Sequence, residues 1–174
     1  MLKQARAVFL NRLLKAVRGD DMCQHPPLFD SRDRNAYLLL SGRYSCAMLL
    51  PGILVPPFAD ERYDDASLYG RIGYVVAHEL MHVTAFRSSW DESYASTLLH
   101  RYEPNTYIEA IADGGGLATI MRLNIAGLDN ATLCAHVSQL WCGRSGWLAP
   151  APLGVHPRVN ERGDYACAFL RDHF

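Results

Sequence analysis

The chain has 174 residues, the size of one domain on the usual prior of about 100–200 residues. Hydrophobic residues make up 49% and charged residues 20%, with a mean hydropathy of -0.06, which excludes a disordered chain. Seventeen Lys+Arg against 18 Asp+Glu leave a formal net charge of -1, so no basic field is available for phosphate and the balance argues against a nucleic-acid partner.

In chain order, Ala5 to Val17 carries apolar residues at helical spacing and stops at Gly19, which predicts a surface helix. The first 19 residues hold Lys3, Arg6, Arg12, Lys15 and Arg18 and no acid. Basic surface helices and mitochondrial transit peptides share that pattern, while the uninterrupted apolar segment of a secretory signal is not seen. Asp20 to Arg34 reads as a loop. Tyr37–Leu40 and Tyr44–Leu50, around Ser41-Gly42-Arg43, predict a hairpin and a small sheet. The most apolar stretch, Cys46 to Phe58, is broken by Pro51, Pro56 and Pro57, so it encodes no transmembrane helix. Leu68 to Val83 is apolar nearly all round and predicts a buried helix. A third helix starts after Pro104-Asn105-Thr106 and runs to Leu123, and a fourth follows Asp129 and ends at Gly143. Trp147 to Pro157 is a Pro-rich loop, and Asp164 to Arg171 predicts one or two last helical turns. The whole reads as a single domain, with residues 1–34 an N-terminal helix and loop ahead of a core over 35–174. Five cysteines without CxxC spacing argue against a zinc-thiolate site and leave at least one cysteine unpaired within the chain.

The chemistry concentrates in the second helix, where His78-Glu79-Leu80-Met81-His82 forms HExxH. Two His at i and i+4 share a helical face, so both imidazoles can converge on one zinc ion with Glu79 beside them as a base. The same pattern also arises by chance, with both His as satisfied core residues. A hydrolytic zinc site needs three protein ligands and one open position, and Glu109 in the third helix supplies the missing ligand. Asp113 lies one turn beyond, where a carboxylate can accept the second N–H of a ligating His. Gly114, Gly115 and Gly116 would each cost about 1 kcal/mol against Ala in an ordinary helix, so they call for another helix packed tightly there.

With these residues in place, the sequence resembles the catalytic half of neprilysin-type zinc metallopeptidases, the family that includes the endothelin-converting enzymes. The similarity runs through Asn35-Ala36-Tyr37, Ser41-Gly42-Arg43, Pro51-Gly52-Ile53-Leu54-Val55-Pro56-Pro57-Phe58, and Tyr69-Gly70-Arg71-Ile72-Gly73 leading into HELMH. It continues through Glu109-Ala110-Ile111-Ala112-Asp113-Gly114-Gly115-Gly116-Leu117, Gln139-Leu140-Trp141-Cys142-Gly143 and His156-Pro157-Arg158-Val159-Asn160. The resemblance implies zinc ligation by His78, His82 and Glu109, with Glu79 as the general base acting on zinc-bound water. It implies that Asp113 orients a ligand His and that His156 donates to the oxyanion. Asn35, Ala36 and Arg158 correspond to positions that hold the substrate backbone. Ile53, Phe58, Tyr74, Val75, Leu140 and Trp141 correspond to the pocket for the residue just after the scissile bond.

The implied fold is α+β: a thermolysin-like zincin domain with a small mixed sheet and a helical HExxH/ExxxD core. The implied activity is that of a zinc endopeptidase cleaving on the amino side of hydrophobic residues, with one zinc per chain. The sequence also departs from the family. Nothing corresponds to the large helical lid domain, the stretch from HELMH to Glu109 is short, Arg87 follows Phe86 where an Asp is usual, and Cys142 has no evident partner. The alternative is therefore a catalytically inactive peptidase-fold subunit that serves binding or assembly, and a protein partner in the place of the lid is expected beside the peptide substrate. By resemblance the compartment is extracellular or secretory. His25, His100, His136 and His173 carry no motif, and Asn130-Ala131-Thr132 is a glycosylation sequon that is informative only for a secreted chain.

Overall fold

The computed structural model describes residues 34–41, 44–87, 107–141 and 159–174, together with Arg32. The predicted N-terminal helix, the Pro-rich loop, Cys142, His156 and Arg158 lie outside the described residues.

Strands β1 (Ala36–Ser41) and β2 (Tyr44–Leu49) pair antiparallel, with Ala36 opposite Leu49 and Ser41 opposite Tyr44. The Leu50 amide donates to the Asn35 carbonyl at 3.1 Å and carries the ladder one step further. Among the described residues the small sheet has these two strands, and two residues of connection allow only an antiparallel return. After β2 the chain tightens into a short 3₁₀ turn, Pro51–Ile53, which buries Ile53 and is followed by buried Phe58.

Helix α1 (Asp65–Leu68) is capped by Asp64, whose carboxylate accepts the Ser67 amide at 2.8 Å. It passes through a π-helical turn at Tyr69–Gly73 into α2 (Tyr74–Arg87). Every residue from Ile72 to Glu79 is buried, as an all-round apolar helix requires. Helices α3 (Tyr107–Arg122) and α4 (Asn130–Trp141) follow, the latter capped by Asp129 accepting the Thr132 amide at 2.8 Å. The last helix, α5 (Val159–His173), is far longer than the turn or two read from sequence. Its stripe of Tyr165, Ala166, Phe169 and Leu170 packs into the core at i, i+3, i+4 spacing.

Two helix pairs dominate the packing, α2 with α3 and α4 with α5, and the hairpin lies against α2. The α2–α3 contact depends on glycine. A Cβ at Gly116 would stand 3.1 Å from the His78 backbone nitrogen and 3.2 Å from its Cα, and one at Gly115 would run into the Met81 side chain. Glycine here permits close approach of two backbones, which outweighs its intrinsic cost in a helix. The α4–α5 pair is cross-linked by a disulfide between Cys134 and Cys167, and Cys46 is also disulfide-bonded. Among the described residues, no helix is long and apolar enough to cross a membrane.

Candidate metal centre and peptide cleft

One helical turn separates His78 from His82 on α2, and the close approach at Gly116 brings α3 to the same point. The Nε2 atoms of the two His lie 3.1 Å apart. The Glu109 carboxylate stands 3.2 Å from Nε2 of His78 and 3.5 Å from Nε2 of His82. Glu79 is also buried, with its carboxylate within 4.8 Å of the His nitrogens. His78, Glu79 and His82 could thus hold a metal ion, and the Glu109 carboxylate approaches both His from the other helix. Three donors arranged tetrahedrally around zinc at about 2.0–2.1 Å are about 3.3 Å from one another. The spacings here are of that order: 3.1 Å between the two His nitrogens, 3.2 Å from His78 to Oε2 of Glu109 and 3.5 Å from His82 to its Oε1.

Asp113 lies behind the triangle with 1% of its surface exposed. Nδ1–H of His78 donates to its Oδ1 at 2.8 Å, which leaves Nε2 of His78 as the lone-pair donor. The Tyr74 hydroxyl donates to the same oxygen at 2.6 Å. Arg162 of α5 grips the carboxylate as a fork, with Nε on Oδ2 at 2.9 Å and Nη2 on Oδ1. The guanidinium also stacks on the Trp141 ring, 3.9 Å from its centroid.

These contacts set the ionisation of the site. Burial would raise Asp113, but the charges of Arg162 and His78 and their hydrogen bonds hold it well below the usual carboxylate range. Burial also pulls His78 down, yet the Asp113 charge and hydrogen bonds to Asp113 and Glu109 outweigh it and lift His78 to about 9. At His82, burial and the charge of His78 act in the same direction and hold it down at about 4. The Tyr74 phenol is pushed well above its ordinary value by burial and then by the Asp113 charge.

A cavity of about 240 Å³ opens in front of the donors. Its walls include Asn35, Ala36, Ile53, Phe58, Tyr74, Val75, Trp141 and Arg162, together with His78, Glu79, His82 and Glu109. Among the described residues, the structure therefore brings together all those singled out from sequence except Leu140, with Asp113 directly behind. Leu140 is buried in the core with Leu133 and Val137, turned about 100° from its neighbour Trp141. Tyr74 borders the cavity, but its hydroxyl serves Asp113. The Asn35 side chain accepts the Ala36 amide at 2.9 Å through Oδ1 and keeps its NH₂ group for other partners.

Sequence reasoning missed Arg162. A signal was present, since Arg162 heads the stripe formed by Tyr165, Ala166, Phe169 and Leu170 and lies on the same helical face.

Residues 35–96 match peptidase family M13. This segment, about a third of the chain, is similar to that family. The M13 match spans the hairpin, the Pro51–Phe58 segment and the HExxH helix, and it stops before Glu109, Asp113 and Arg162, whose convergence on the M13 motif is seen in the structure alone. Neither a curated protein nor a solved structure matches the chain.

Proposed function

We propose that the chain is a zinc-dependent endopeptidase that hydrolyses peptide bonds on the amino side of hydrophobic residues. The observation that carries this reading is the triangle of His78, His82 and Glu109 donors, backed by Asp113 and open to an apolar cavity. Zinc bound there supplies a Lewis acid that polarises the scissile carbonyl and acidifies water toward neutrality.

The chain's own residues do the rest. Glu79 takes the proton from the attacking water and delivers it to the leaving amine. Asp113 fixes the tautomer and orientation of His78. Arg162 spends Nε and Nη2 on Asp113, which leaves Nη1 to donate to a substrate carbonyl. Asn35 and Ala36, at the edge of the hairpin, hold the extended peptide backbone. Ile53, Phe58, Val75 and Trp141 favour Leu, Phe or Ile just after the scissile bond, with each methylene worth about 1–3 kcal/mol. His156 enters this reading through the resemblance, as the oxyanion donor.

The test is metal analysis of the purified chain followed by hydrolysis of a fluorogenic peptide. One zinc per chain is expected. Glu79→Gln keeps the metal and loses at least about 10²-fold in turnover. Normal hydrolysis by that variant refutes the mechanism, and product sequencing that places cleavage before charged residues refutes the pocket.

A further inference from the structure

Asn130-Ala131-Thr132 is the single Asn-X-Ser/Thr triplet in the 174 residues. The Cys134–Cys167 disulfide, four residues beyond it, and the disulfide at Cys46 belong to a chain that folds where thiols oxidise. In such a compartment an Asn-X-Thr triplet is an acceptor. We propose that Asn130 is an N-linked glycosylation site.

The surroundings of Asn130 suit a glycan. The residue opens α4, between exposed Asp129 and Ala131. Its Nδ2 donates to the Leu170 carbonyl at 3.2 Å, which uses one of two amide hydrogens. Glycosylation replaces only one hydrogen, so this bond survives and holds the first sugar in a fixed direction. Beside Asn130 lies a broad open hollow of about 700 Å³, in which Met121, Ile125 and Leu128 offer apolar surface to a sugar face. The site is also remote from the cleft. Asn130 and Trp141 stand at opposite ends of α4, about 16 Å apart along its axis. A glycan there covers the end of the helix pair farthest from Trp141 and Arg162 and leaves the peptide path open.

The donor is a polyprenyl-diphosphate-linked oligosaccharide. The Asn130 Nδ2–sugar C1 bond forms as the C1–oxygen bond to the diphosphate breaks. The polyprenyl diphosphate leaves with that electron pair, and Nδ2 gives up one proton.

The full chain, translated behind a cleavable secretory leader in the presence of microsomes, provides the test, because glycosylation precedes folding there and the readout does not require a folded variant. The expected result is one mobility step, removed by an endoglycosidase. Asn130→Gln and Thr132→Ala lose the step and Thr132→Ser keeps it. Unchanged mobility of a chain whose leader has been cleaved overturns the proposal, as does a step that survives in Asn130→Gln. Purified Asn130→Gln is expected to hydrolyse peptide as the parent does, and impaired hydrolysis by a correctly folded variant overturns the placement of the glycan away from the cleft.

Discussion

Replacing Arg162 with Met keeps an apolar stem against Trp141 but removes both donors of the fork on Asp113. Asp113 is 1% exposed and cannot recover solvent in their place. Removing one partner of a buried ion pair typically costs about 3–5 kcal/mol. Here the Tyr74 hydroxyl and the His78 Nδ1–H remain on the carboxylate, so the lower end is expected, about 3 kcal/mol. In a chain of this size that is about 6–12 °C in Tm. The assay is urea unfolding with disulfides intact and a chelator present, so that metal binding does not mask the effect. Arg162→Lys keeps the charge without the fork and should fall between parent and Arg162→Met. A loss below about 1 kcal/mol for Arg162→Met, the scale of an exposed pair, would refute the reasoning, because it would show that the Asp113 charge does not depend on Arg162.

Removing the Cys134–Cys167 cross-link by a double Cys→Ala change should cost about 3–4 kcal/mol for a sequence separation of 33, measured by the same unfolding curves. Tyr74→Phe should weaken zinc binding about 10-fold in competition with a chelating dye, since it strips a donor from the carboxylate that orients His78, and unchanged affinity would make the hydroxyl a bystander. The pH dependence of the metal-free chain follows from three of its shifted groups, His78, His82 and Asp113. The raised His78 contributes stability that is complete below its unfolded value of 6.5 and lost as pH rises toward about 9. The depressed His82 contributes stability that is present above 6.5 and lost as pH falls toward about 4, and Asp113 adds a further loss below 3.8. Unfolding midpoints measured across pH should therefore peak near 6.5, and zinc, by displacing the His78 proton, should remove the alkaline decline.

The convergence of these side chains was legible because helical periodicity is local. His78 and His82 share a face at i, i+4, and Glu109 and Asp113 do the same on α3, so the motif nearly determines the geometry once the two helices meet. The hairpin was legible from two short apolar runs on either side of Ser41-Gly42-Arg43. Arg162 was harder to see, because the first turn of α5 is polar and contains Gly163, so the apolar stripe that Arg162 heads shows only from Tyr165 onward. The Cys134–Cys167 pairing had no local signature. It joins two helices whose contact depends on tertiary packing, and cysteine spacing alone leaves connectivity open.

The backbone contact at Gly116 has a consequence for how this protein tolerates change. The separation of α2 and α3 is set there by one main chain resting on another, without an intervening side chain that could shrink or swell. Substitutions elsewhere in the core, such as at Leu133 or Val137, alter cavities and stability on the α4 side without moving that stop. The spacing of the donor triangle and the stability of the fold are thus adjusted by different residues, and the chain can drift in one while holding the other constant.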